Sequence, residues 1–135
     1  MEKITTVLFD LDGTLLPMDQ DLFVKSYFKR LAEKMAPIGY DPEKLIKAVW
    51  GGTAAMVQND GRATNEKVFW KFFSGIYGEE ALKDIPVFQE FYEVEFQEAR
   101  QVCGYTPLAA RSVELCRELG LRRVLATNPL FPSIA

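Results

Sequence analysis

Ile4-Thr5-Thr6-Val7-Leu8-Phe9, followed by Asp10-Leu11-Asp12-Gly13-Thr14, decides how the rest of this chain is read. The first six residues are apolar or β-branched without strict alternation, the pattern of a strand buried on both faces of a parallel sheet. Residues 4–10 are therefore predicted as a strand. Side chains at i and i+2 of an extended chain point to the same side, so Asp10 and Asp12 converge where it ends. Gly13 lets the chain turn there without a Cβ clash. In open parallel sheets, ligands bind at the carboxyl ends of the strands. Carboxylates held so close repel, and a divalent metal or a shared proton is the simplest compensation.

Working outward, residues 15–21 read as a loop whose Asp19 and Asp21 supply helix-start chemistry. Val24, Phe28, Leu31 and Met35 then recur at helical spacing in a helix predicted from Leu22 to Met35. Asp41-Pro42 is an N-cap followed by proline at the first helical position. That helix is expected to run to Trp50 and stop at Gly51-Gly52, with Thr53 capping a short helix to Gln58. Asn59-Asp60-Gly61 is a turn, and Thr64 caps an aromatic helix carrying Phe69, Trp70, Phe72 and Phe73 that ends before Gly78. Pro86 is expected to open a helix to Gln101.

Past Gly104, Pro107 begins a helix with Leu108, Val113, Leu115 and Leu119, which Gly120 terminates. Arg122 to Ala126 reads as a second buried strand, ending in Thr127-Asn128-Pro129. Strands of α/β character thus flank a long helix-only segment, the pattern of an all-helical domain inserted into an α/β domain. The expected division is 1–18 with 105–135 for the α/β part and 19–104 for the helical part.

The 135 residues suffice for one ordinary domain or one with a small insertion. Hydrophobic residues are 48% and charged residues 26%, a globular balance without a disorder signature. The 16 basic and 19 acidic residues give a net charge of −3, which favours neither nucleic acid nor an anionic membrane as partner. Met1-Glu2-Lys3 lacks a signal-peptide profile, and no apolar run approaches a membrane span. Cys103 and Cys116 have no redox or metal spacing, which suits a reducing cytoplasm. With no histidine, histidine phosphotransfer, His–Cys zinc sites and Ser-His-Asp triads are excluded.

Asp10-Leu11-Asp12-Gly13-Thr14 with Leu15-Leu16 resembles the first motif of the haloacid dehalogenase-like (HAD) superfamily in its phosphatase form. Thr127-Asn128 at the end of a later strand resembles its second motif. The intervening segment is similar to the helical cap of phosphoglycolate phosphatase-like and β-phosphoglucomutase-like members, and Tyr105-Thr106-Pro107 and Gly120 fit that subgroup. The resemblance implies a Rossmann-like core with an inserted helical cap. It implies Asp10 as nucleophile forming an aspartyl-phosphate, and Asp12 as acid to the leaving alkoxide and base to water. Mg²⁺ would bind the Asp10 carboxylate and the Asp12 backbone carbonyl. Thr127 and Asn128 would bind the phosphate of a small phosphorylated metabolite. An acid at position 12 suits alkoxide expulsion, whereas a dehalogenase expels halide and needs no proton.

The superfamily also uses a later lysine and an acidic pair, and the chain ends eight residues after Thr127, at Ala135. No residue can be assigned to either role, so the chain is expected to be the N-terminal part of a longer enzyme. A sugar phosphomutase shares both aspartates and is an alternative, as is an inactive or incomplete module acting in association. A phospho-acceptor receiver domain fits poorly, because it has no long helical insertion. The Cys116-to-Arg122 spacing matches thiol phosphatases, but there it closes a helix and opens a strand, opposite to a phosphate loop. Cys116 is read as core packing and Cys103 as an ordinary thiol near a helix end. The aromatic helix is read as cap core, and Trp50-Gly51-Gly52-Thr53 as a helix break that could form a substrate-contacting loop. The oligomeric state is not legible.

Overall fold

The computed structural model describes residues 3–127. Its elements run β1 (Thr6–Phe9), α1 (Gln20–Met35), α2 (Pro42–Val57), α3 (Asn65–Tyr77), α4 (Ile85–Glu93), α5 (Pro107–Glu118) and β2 (Arg122–Leu125). Short 3₁₀ turns fill Ala36–Ile38, Glu79–Asp84 and Glu95–Val102. Among the described residues the chain divides into two compact units, 3–25 with 99–127, and 26–98.

In the first unit β1 and β2 pair in parallel, with Thr6 opposite Arg122 and Phe9 opposite Leu125. The connection back to β2 is α5, whose N-cap Thr106 accepts from the Leu108 N–H. Its end is closed when the Gly120 N–H bonds the Arg117 carbonyl and the Leu121 N–H bonds the Cys116 carbonyl. Gly120 has φ +69°, the left-handed conformation that such a cap requires. A second crossing pairs Met18 with Cys103, and the Gly104 N–H donates to the Pro17 carbonyl at 2.6 Å.

The second unit is built on aromatic packing. Asp41 and Thr64 cap α2 and α3 by accepting from the Lys44 and Lys67 N–H groups, as their side-chain chemistry dictates. Between these helices, Asn59 accepts from the Gly61 N–H and donates to the Ala63 carbonyl, closing the turn. Phe73, Phe88 and Phe91 are fully buried with Leu31, Met35 and Leu45. Phe73 packs edge-on to Phe88 with ring centroids 5.4 Å apart, a favoured aromatic geometry.

Two helix boundaries differ from expectation. Helix α2 passes unbroken through Gly51-Gly52 to Val57, so these glycines do not stop it and no loop forms at Trp50–Thr53. Their role is close approach: a Cβ on Gly51 would fall 2.5 Å from Phe72 Cζ, and one on Gly52 2.6 Å from the Phe69 ring. Thr53 does not cap; its hydroxyl donates back to the Val49 carbonyl within the helix. Helix α4 ends at Glu93, and a 3₁₀ turn from Glu95 to Val102 carries the chain where one helix to Gln101 is predicted. The strands are shorter than predicted, and Cys116 is half-buried on a helix with no buried residue.

Candidate active site at the carboxyl end of the strand pair

The acidic loop is held by its own backbone. The Gly13 N–H donates to the Leu16 carbonyl and the Leu16 N–H to the Leu11 carbonyl, both at 2.9 Å. Thr14 adds a bond from its N–H to Leu11. Gly13 has φ +75°, which glycine adopts without the steric cost a Cβ would bring. The turn thereby sets Asp12 immediately beyond the end of β1, while Asp10 follows Phe9 directly. Both side chains are solvent-exposed.

Their charges are close enough to matter. The Asp12 carboxyl is raised above the usual carboxylate range, first by partial desolvation in the loop and second by the negative charge of Asp10. Asp12 keeps an exposed face, so solvent moderates the desolvation. A carboxyl shifted this way holds its proton to higher pH, a property that a general acid uses.

The neighbouring strand ends level with this loop. Beyond the Phe9–Leu125 pair, the Ala126 N–H donates to the Phe9 carbonyl at 2.7 Å, which extends the ladder by one residue. Thr127 comes next and is half-buried. Asp10 and Thr127 therefore leave adjacent parallel strands at the same carboxyl end. Asn128, the other expected phosphate ligand, lies outside the described residues.

The donor set suits Mg²⁺ in part. Mg²⁺ is commonly held by one or two carboxylates with waters and substrate phosphate oxygens. The repulsion that Asp12 feels from Asp10 is the kind a dication relieves. Among the described residues, no group of three or more Asp, Glu, Cys or His side chains gathers. Asp10 and Asp12 thus offer a partial shell.

Residues that sequence reasoning passed over adjoin this loop. Gln20 was placed in a loop before a helix starting at Leu22, yet it is the first residue of α1. Its Nε2 lies 3.3 Å from the position a Cβ on Gly13 would take. Cys103, read as an ordinary thiol, is raised above the usual thiol range by burial and then by the charge of Asp12. The pairing of Met18 with Cys103 draws it there, and only the bridge between distant segments reveals it. Trp50–Thr53 lies within α2 in the other unit, not in this loop.

The sequence profile of the haloacid dehalogenase-like hydrolases matches residues 7–106, which include all of β1 but Thr6, the Asp10–Gly13 loop and α1 to α4. No curated relative and no solved structure matches the chain. The match spans well over half of the sequence, and with it the chain belongs to the haloacid dehalogenase-like hydrolase family.

Proposed function

We propose that the chain carries the nucleophile and the acid–base residue of an Mg²⁺-dependent phosphatase acting on a small phosphorylated metabolite. The observation that carries this is the Asp10–Asp12 loop closing β1 beside the end of β2 that bears Thr127. An Asp10 carboxylate oxygen attacks phosphorus, and the ester P–O bond breaks to leave an aspartyl-phosphate. Asp12 gives its proton to the departing alkoxide, then takes one from the water that attacks the aspartyl-phosphate. That attack breaks the Asp10–phosphorus linkage and frees phosphate. Thr127, with Asn128 after it, holds phosphoryl oxygens. Mg²⁺, when bound at Asp10 and Asp12, neutralises negative charge between nucleophile and substrate.

In this reading 19–104 is a helical cap on a Rossmann-like core formed by 1–18 and 105–135 in a cytoplasmic enzyme. Among the described residues no helix is long and apolar enough to cross a membrane. Charge balance at Asp10 and phosphate also calls for a cation and further metal ligands from residues beyond this loop. The test is phosphate release from a panel of phosphomonoesters with Mg²⁺ and with chelator. Asp10→Asn should lower the rate by at least ~10³-fold. Release that is unaffected by chelator and by Asp10→Asn would sink the proposal.

A second reading, an incomplete module that works in association, draws on the apolar exposure of the sheet unit. Ile4, Leu8, Leu108 and Leu119 are all largely exposed. Monomeric sedimentation at high concentration, together with Mg²⁺-dependent turnover, would set that reading aside. Conversion of a sugar phosphate to its isomer without phosphate release would instead favour a mutase.

A further inference from the structure

We propose that Gln20 is a specificity-determining residue that reads the leaving alcohol of the substrate, favouring alcohols with a hydrogen-bonding group near the ester oxygen. This rests on the phosphatase reading above and names the substrate class for the same loop. The position of Gln20 is fixed by α1. Asp19 Oδ1 accepts from the Leu22 N–H at 3.0 Å, and the Asp19 carbonyl accepts from the Phe23 N–H at 2.9 Å. The first helical turn is thereby anchored right after the acidic loop. Its side-chain amide reaches back to Gly13, with Nε2 3.3 Å from where a Cβ would stand.

Glycine at 13 thus serves the turn, and a Cβ there would crowd the Gln20 amide. The Gln20 amide hydrogen-bonds to no described residue and is exposed, so its N–H donors and its carbonyl are available to a ligand. Asp12, next to Gly13, delivers a proton to the leaving oxygen. Gln20, packed against Gly13, thus adjoins the loop that carries this proton donor. A site that hydrogen-bonds a substrate hydroxyl disfavours the analogue without it, because the polar group is left unmatched.

The probes are glycerol 3-phosphate and n-propyl phosphate, which differ only in their hydroxyl groups. With Mg²⁺, the wild-type chain should prefer the glycerol ester in kcat/KM by ~10-fold, and Gln20→Leu should bring the ratio to about one. Gln20→Asn, which keeps an amide, should restore part of the preference. In parallel, the side-chain amide resonances of Gln20 are followed in the Asp10→Asn protein, which does not turn over. They should move with Mg²⁺ and glycerol 3-phosphate and stay in place with Mg²⁺ and n-propyl phosphate. An unchanged ratio in a folded Gln20→Leu protein, or equal resonance shifts with both esters, overturns the assignment. If neither ester is hydrolysed while another phosphomonoester of the panel is, the Gln20 assignment falls and the phosphatase reading stands; if no phosphomonoester releases phosphate, both fall.

Discussion

Residues 26–98 and the unit formed by 3–25 with 99–127 divide structure from chemistry. The helical unit contains every fully buried large side chain among the described residues, from Leu31 to Phe91. In the sheet unit only Ala99 is buried, while Leu8 is 66% and Leu108 71% exposed. Yet Asp10, Asp12, Thr127 and Gln20 all belong to the sheet unit. Apolar burial stabilises by ~25 cal/mol per Å², so the helical unit has its own source of stability. A two-stranded sheet is marginal by itself. The residues suited to chemistry therefore sit on the part of the molecule with the thinnest core.

The largest expected effect would come from removing the centre of the aromatic cluster. Phe73 is 0% exposed and contacts the rings of Tyr40, Phe69, Trp70, Tyr77 and Phe88. Phe73→Ala should cost ~3–5 kcal/mol, through lost burial and the cavity left behind. Leu8→Ala, on the exposed face of β1, should change stability by no more than ~0.5 kcal/mol. Urea denaturation followed by fluorescence and circular dichroism measures both. Equal losses would mean that the two units are equally cored, and the comparison would break.

Glycine substitutions give a smaller effect and a change of sign. In an exposed helix, Gly→Ala gains ~0.5–1 kcal/mol through lower backbone entropy. Gly75 in α3 has nothing within 4 Å of a built Cβ, so Gly75→Ala should gain about that much. Gly52 faces the Phe69 ring at 2.6 Å, and overpacking there costs ~1–3 kcal/mol, which outweighs the helix gain. Gly52→Ala should therefore destabilise while Gly75→Ala stabilises. If both stabilise, the packing of α2 on α3 is looser than the geometry indicates.

These glycines also mark where sequence reasoning stopped. Signals that act within a few residues were legible: the caps Asp41 and Thr64, the helix start at Pro107, the Asn59–Gly61 turn, Gly120 as a stop, and the apolar run into Asp10. Gly51-Gly52 read as a stop because the alternative depends on Phe69 and Phe72, which meet it only when α3 folds back on α2. The break after Glu93 carries no glycine or proline, so a continuous helix was the natural expectation. For the candidate site, Asp10 and Asp12 could be singled out because they follow directly on the apolar run of β1. Gln20 and Cys103 could not, because loop closure at Gly13 and the Met18–Cys103 pairing bring them close.

The smallest expected effect concerns ion pairs, and it sharpens the same contrast. In the helical unit, Lys34 Nζ lies 2.9 Å from Glu95 Oε1 and 3.3 Å from Glu90 Oε2, joining α1 to segments far along the chain. The hydrogen bond to Glu95 raises the Lys34 ammonium above its ordinary range, with burial opposing and Glu90 assisting. Burial works against the Glu95 carboxylate, but the hydrogen bond and charge of Lys34 outweigh it and hold the carboxyl below its ordinary range. A lowered carboxyl contributes stability that is present above its unfolded pKa of ~4.3 and lost as pH falls through the folded value. A raised ammonium contributes stability present below ~10.4 and lost as pH climbs through its folded value. The Tm gap between wild type and Glu95→Gln should thus be widest from pH ~5 to ~10 and close at either extreme. In the sheet unit, Arg111–Glu118 is an exposed pair within α5 alone. Such a pair is worth little and joins no separate segments, so Glu118→Gln should leave Tm flat across the same pH range. A Glu118→Gln gap as wide as that of Glu95→Gln would mean that the sheet unit draws on charge for the stability its core lacks.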